Sequence, residues 1–140
     1  MAKTHGMGAT ITVDDSAGTP RIMSNSNTNF EMATPRGVQD ITGVDKSAME
    51  RQLLLADASF TFNGVFDTTA STGAHAVLSS VSSTSVARTS KIQPTSSSTP
   101  YLSCEMLYSD YQVTRAAGGE LTFQSPGVLS DGTVPTWTNS

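Results

Sequence analysis

From Ala58 the chain reads Ala-Ser-Phe-Thr-Phe-Asn, apolar and polar side chains taking turns. That period of two puts Ala58, Phe60 and Phe62 on one face of a strand and Ser59, Thr61 and Asn63 on the other. A second stretch behaves the same way: Leu102, Cys104, Met106 and Tyr108 share one face of the run Tyr101–Arg115. Half-buried strands of this kind need other strands to cover their apolar side, so a β-sandwich or barrel is the expected architecture.

Composition points the same way. The 140 residues include 20 Ser and 20 Thr, whereas only 14% are charged, against roughly a quarter in an ordinary domain. Such a surface is polar without being charged, and Thr favours strands. The length suits one domain, 1–140, with a flexible N-terminal segment over 1–8 and a C-terminal arm over 126–140. The arm contains Pro126, Gly127, Gly132 and Pro135 and has apolar anchors at Val128, Leu129 and Trp137.

Other elements follow from local chemistry. Thr10–Val13 and Pro20–Met23, separated by Asp-Asp-Ser-Ala-Gly-Thr, read as a hairpin. Phe30–Met32 reads as a brief strand stopped by Pro35, and Val38–Val44 as another. Ser47-Ala48-Met49-Glu50 has the form of a helix capping box, which predicts a capped turn over 47–52 leading into a strand over 54–66. Ala74, Val77, Leu78 and Val81 have helical spacing, with Ser71 or Thr72 available as cap, which predicts a helix of two to three turns. Val86–Ile92 reads as a strand and 93–100 as a loop rich in Ser, Thr and Pro. Within 101–115, Tyr111 and Val113 fall out of phase with Leu102–Tyr108, so a bulge or bend is expected near Ser109-Asp110. Ala116–Gly119 reads as a hairpin connection into Glu120–Gln124. The total is about seven strands and one short helix.

Chemistry-bearing patterns are scarce. The eight cations are scattered and the formal net charge is −4, so the chain lacks the basic stripe from which nucleic-acid binders draw their affinity. His5 and His75 belong to no metal or hydrolase motif. Gly6-Met7-Gly8 precedes a strand rather than joining strand to helix, and reads as flexibility. Asp14-Asp15 suits a turn, with cation binding as the alternative. Cys104 stands alone and reads as a small buried hydrophobe. No apolar stretch follows Lys3 in the manner of a signal peptide, and no run approaches the ~20 apolar residues of a membrane span. The acids Asp57, Glu105, Asp110 and Glu120 fall on or beside strands; one reading is a solvated sheet face.

A second reading of those acids comes from a resemblance. Asp40-Ile41-Thr42, Asp45 to Arg51, and then Asp57, Ser59, Gly64 and Asp67 resemble the central block of the tail tube proteins (major tail proteins) of long, non-contractile-tailed bacteriophages, the siphophages. His75-Ala76-Val77, Leu107–Tyr111, Glu120–Phe123, Gly127–Leu129 and Asp131–Trp137 extend the likeness toward the form found in phages of actinobacterial hosts. The resemblance implies a β-sandwich or barrel with one packed helix, a structural virion protein rather than an enzyme, and no cofactor or metal. Six copies would form a ring, and rings would stack into the tail tube, their sheets joining edge to edge around a lumen. Double-stranded DNA would pass through without specific binding. Other implied partners are the tape measure protein during assembly and the tail terminator and distal tail proteins at the ends. On this reading Asp57, Glu105, Asp110 and Glu120 are candidate lumen-facing acids, and Lys46, Arg51 and Trp137 are candidate inter-subunit contacts. The alternative is a small β-sandwich adhesin or decoration module on a virion surface, which would need an exposed aromatic platform.

Overall fold

The structure, a computed structural model, describes residues 5–70 and 72–139. In chain order the strands are β1 (Thr10–Asp14), β2 (Pro20–Ile22), β3 (Asn27–Ala33), β4 (Arg36–Asp40), β5 (Arg51–Ala56) and β6 (Ser59–Val65). After the helix α1 (Ala74–Leu78) come β7 (Arg88–Gln93), β8 (Tyr101–Tyr108), β9 (Gln112–Arg115), β10 (Leu121–Leu129) and β11 (Trp137–Thr138). Nine strands form one antiparallel sheet in the order β2-β1-β7-β8-β10-β6-β3, with β9 added to β10 and β11 to β8; β4 and β5 pair only with each other.

One face of the large sheet carries Val13, Ile92, Leu102, Met106, Phe60, Phe62 and Phe123, and these side chains form a single cluster buried from solvent. Strands from both ends of the order contribute, so the sheet curls over and its two halves cover each other. The rings of Phe62 and Tyr108 stack at 6.0 Å within that cluster. Each large apolar side chain buried this way contributes about 1.5–3 kcal/mol.

The alternation read in 58–63 and 101–108 is present residue by residue, as is the hairpin of β1 and β2. The bend expected near Ser109-Asp110 is also present, and β10 explains it. Its first half pairs with β9 and its last three residues with β8, so 109–111 is where the partner changes. Pro126 sits in β10 beside that change, where the strand can tolerate a missing N–H.

Several expectations fail. The capping box does not form: 41–50 is the tip of the β4–β5 hairpin, and the Glu50 amide donates to the Thr42 hydroxyl (2.8 Å). One helical turn is costly to nucleate, and Met49 and Leu53 have no core to face, so pairing of 38–40 with 51–53 prevails. The strand predicted over 54–66 is two strands, broken at Asp57-Ala58, and the one predicted over 38–44 ends at Asp40. The terminal arm is shorter than 126–140, because the sheet claims Pro126–Leu129.

The helix has five residues rather than two to three turns, since the Ser-rich run after Leu78 competes for its own backbone. Ser71 lies outside the described residues, and no side chain caps Gly73. The helix is held instead from outside. Ser26 Oγ, fully buried, accepts the Ala74 amide at 3.1 Å. At the other end the buried Arg88 guanidinium donates to the carbonyls of Val77 and Asp14 and to Ser80 Oγ. Burial lowers the pKa of Arg88, while Tyr108, Asp15 and Asp14 oppose that shift.

Candidate self-assembly surface

The β4–β5 arm is unlike the rest of the molecule. Each residue of β4, and each of β5 except Ala56, is exposed. Register places Val38 opposite Leu53 on one side of the ribbon. Leu54 lies on the other side and packs over Gly37, where an added Cβ would come within 3.1 Å of it, and the register shift between Arg36 and Val38 sets Leu54 and Leu55 together against Gly37. The arm is therefore apolar on both faces. Leu55 is 91% exposed, and at the tip Val44 is fully exposed and Met49 54% exposed. An isolated two-stranded ribbon is marginal in water, and apolar surface of this extent marks an interaction site.

Polar contacts stiffen the arm without covering it. Asp40 Oδ1 accepts the Thr42 amide (2.9 Å) and hydroxyl (2.6 Å), and these bonds, the hydroxyl first, hold the Asp40 carboxyl below its usual pKa. Arg36 Nε donates to the Leu54 carbonyl at 2.8 Å. Where the arm leaves the body, Arg36, Leu53–Asp57, Val134 and Pro135 enclose an open groove of about 910 Å³.

The large sheet presents a second unfinished surface. β9, β10, β6 and β3 form a four-stranded patch whose two outer strands each have one free edge. The edge at the other end of the sheet is the three-residue β2.

The residues singled out in sequence fall as follows. Lys46 is at the arm tip, with Nζ 3.9 Å from both Asp45 and Glu50 of its own chain. Arg51 opens β5, opposite Asp40. Trp137 pairs, through β11, with Leu102 of its own β8 and remains 38% exposed. Asp57 is exposed in the β5–β6 link, Asp110 is exposed at the β8–β9 bend, and Glu120 is exposed in the turn before β10. Glu105 is half-buried on the outer face of β8, where it accepts a hydrogen bond from the Thr89 hydroxyl. The four acids thus fall on four different segments, and the arm's leucines, which the sequence reading passed over, are prominent in the exposed apolar surface. Three consecutive leucines with no helical or alternating partner residues were the available signal.

Among the described residues, those singled out for chemistry do not converge into a catalytic centre. His75 packs against Phe66 (4.9 Å between centroids), and its Nδ1 lies 3.4 Å from the Tyr111 hydroxyl. Asp15 serves its turn, accepting the amides of Ala17 and Thr19 and pairing with Arg21 at 3.1 Å. Among the described residues no three His, Cys, Asp or Glu side chains gather as metal ligands would.

No protein-family model and no curated protein sequence matches the chain. Solved structures do match its fold along nearly its whole length. A chain from the tail of an empty gene transfer agent particle, determined by helical refinement with C6 symmetry, superposes with a TM-score of 0.71 at 15% identity, covering 99% of both chains. A chain from the virion of the native gene transfer agent gives 0.69 at 15% identity, covering 97% of this chain and 99% of that one. One from the six-fold symmetrised cryo-EM structure of the anti-feeding prophage baseplate gives 0.67 at 9% identity, covering 99% and 96%. At these identities the likeness is one of fold.

Proposed function

We propose that this chain is the subunit of a phage-type tail tube, a structural virion protein with no catalytic role. Six copies make a ring, rings stack into a hollow tube, and double-stranded DNA passes along it. The observation that carries this reading is the β4–β5 arm, apolar on both faces and exposed along nearly its whole length. In a stack of rings such an arm lies between neighbours and is covered from both sides. The fold neighbours come from particles with C6 or six-fold symmetry, in agreement with this arrangement.

Sheet geometry supports the ring. In the order β9-β10-β6-β3 every pairing is antiparallel, so β3 and β9 run in opposite directions. Rotation about a ring axis preserves strand direction. The free edge of β3 therefore meets the free edge of the next copy's β9 in antiparallel fashion, and the sheet continues without a fault. Closure removes the open edges, which are otherwise an aggregation hazard. A heterologous contact of this kind closes into a ring when the rotation divides a full turn.

Lys46, Arg51 and the half-exposed Trp137 are proposed contacts to the neighbouring subunit or ring, and the tape measure, terminator and distal tail proteins are the proposed partners during assembly and at the ends. An adhesin would need an aromatic platform, yet Tyr108 is buried and Tyr111 packs on Phe123 at 5.7 Å. Electron microscopy of the concentrated protein tests the proposal, with rings or tubes as the expected result. A chain that stays monomeric even with the tail initiator and tape measure protein present would refute it.

A further inference from the structure

Two dipeptides in the chain carry the same latent reaction, and the fold treats them oppositely. Asn63-Gly64 is its only Asn-Gly and Asp131-Gly132 its only Asp-Gly. In each, the glycine nitrogen can attack the side-chain carbonyl carbon before it and close a five-membered imide, because glycine has no Cβ to obstruct the approach. We infer that Asp131-Gly132 is a site of spontaneous isoaspartate formation in the folded protein, that Asn63-Gly64 is protected by its strand, and that the change at Asp131 frees β11 from the sheet. This chemistry belongs to the single subunit and is independent of the tube reading.

In an unfolded chain Asn-Gly is the more reactive of the two, since near neutrality an amide loses ammonia more readily than a carboxylate loses water. Tertiary structure reverses that order. Asn63 lies in β6 between β3 and β10, opposite Asn29 on one side and Gln124 on the other. Its Nδ2 donates to Asn29 Oδ1 at 2.8 Å, and Gly64 is buried against Ser26, Asn27 and Phe123. To reach the side-chain carbon, the Gly64 nitrogen would have to swing out of the extended backbone and break those pairings. Asp131-Gly132 has no such restraint. Both residues are exposed and lie outside the strands. Gly132 has a φ of +74°, and nothing lies within 4 Å of where its Cβ would be. The Thr133 amide donates to Asp131 Oδ1 at 3.0 Å, which folds the carboxyl back over the Gly132 peptide.

The Gly132 nitrogen bonds to Asp131 Cγ, and its proton leaves with the hydroxyl of the carboxylic acid as water. Water then opens the imide. Attack at Cγ restores aspartate, whereas attack at the main-chain carbonyl gives isoaspartate, with the chain running through Cβ and Cγ and a free carboxylate on Cα. Composition is unchanged, but the backbone is one carbon longer and the turn held by Thr133 is lost. That change falls in a short tether. Upstream, the amide and hydroxyl of Ser130 donate to the Glu105 carbonyl at 3.0 and 3.1 Å. Downstream, β11 pairs with β8 through Trp137–Leu102 and Thr138–Tyr101 alone, and between these anchors Val134 and Pro135 line the groove at the base of the arm. A two-residue strand has few bonds with which to resist a redirected tether, while the buried cluster of the body is untouched. Trp137, the single tryptophan of the chain, is 38% exposed there and reports the loss.

Incubating the purified full-length chain in warm neutral buffer tests both sites. Isoaspartate is counted by methyl transfer from S-adenosylmethionine with a protein-isoaspartyl methyltransferase, and located by peptide mass spectrometry. In the folded chain, methyl acceptance should rise with time and map to the peptide containing Asp131, while the Asn63 peptide keeps its mass. In denaturant the order should reverse, with Asn63 gaining the mass of deamidation first. Asp131→Glu, whose longer side chain closes a ring far less readily, should abolish methyl acceptance in the folded chain. Tryptophan emission should move to longer wavelength as isoaspartate accumulates, and stay fixed in Asp131→Glu. Deamidation of Asn63 in the folded chain ahead of any change at Asp131 would overturn the assignment of the site. Isoaspartate at Asp131 with unchanged emission would overturn the release of β11. None of these readings needs assembly, so failure here leaves the tube proposal standing, and a chain that forms no tubes leaves this site standing.

Discussion

The rolled sheet and the β4–β5 arm are both antiparallel β-structure, yet they place their apolar side chains in opposite ways. Phe60 and Phe62 of β6 have no exposure at all, while Leu55, four residues before the start of β6, is 91% exposed. The sheet has enough strands to curl and cover its own apolar face. The arm has two, and a two-stranded ribbon has no layer to lay over itself. Side chains in the sheet hold the subunit together, and those in the arm are left exposed, to be covered by another copy on the tail-tube proposal. On that proposal stability and assembly are separable.

Substitutions that act on one region and spare the other can break that comparison. The largest effect on the isolated subunit is expected from Phe62→Ala, which removes a fully buried ring and should cost about 3–5 kcal/mol in denaturant unfolding. Gly64→Ala comes next. Its Cβ would lie 1.9 Å from the Ser26 carbonyl oxygen and 2.8 Å from the Phe123 ring, and overpacking of this kind costs roughly 1–3 kcal/mol. It would also disturb the Ser26 contact that docks the helix.

Tyr108→Phe is smaller. It removes the 2.5 Å bond between the tyrosine and Ser90 hydroxyls, worth about 1 kcal/mol. Its clearer signature is in alkaline solution. Burial raises the Tyr108 pKa, and Ser90 and Arg88 offset only part of that shift. The folded state therefore binds this proton more tightly than the unfolded chain. Its stabilising contribution is full below the ordinary tyrosine pKa of about 10 and declines as pH rises above it. Unfolding followed by phenolate absorbance should show a steeper alkaline loss in the native chain than in Tyr108→Phe.

Leu55→Asp sharpens the contrast from the other side. Unfolding of the isolated subunit should shift by no more than about 0.5 kcal/mol, as for an ordinary surface change, while tube formation is lost in electron micrographs. A large loss of subunit stability would mean that the arm belongs to the fold after all. The smallest effect concerns the arm tip. The Asp40 pKa is depressed by Thr42, so its bonds persist above the ordinary aspartate value of about 3.9 and are lost as pH falls through the lower folded one. Amide exchange at Glu50 should quicken over that acid range, and Thr42→Val should remove the dependence.

Much of the body was legible in the sequence. The period of two in 58–63 and 101–108, the β1–β2 hairpin and the phase change at 109–110 all follow from side-chain alternation, which is local. The arm was not legible, because Ser47–Glu50 looks like a helix start and the residues that defeat it, Val38–Asp40, lie across the hairpin. A row of carboxamides on the outer face of the sheet also escaped the reading. Asn29, Asn63, Gln112 and Gln124 are scattered along the chain and become a row only when four strands take their register.

What the sequence determined by itself is the predominance of strands, though about seven were expected and eleven form among the described residues, the inward faces of β6 and β8, and a surface of hydroxyls with little charge, since each rests on neighbouring residues and on composition. Only the tertiary structure decided that the sheet curls closed, that Ser26 and Arg88 hold the helix, and that the arm stands away from the body. Those outcomes depend on pairings between residues far apart in the chain, whose free energies no local pattern records.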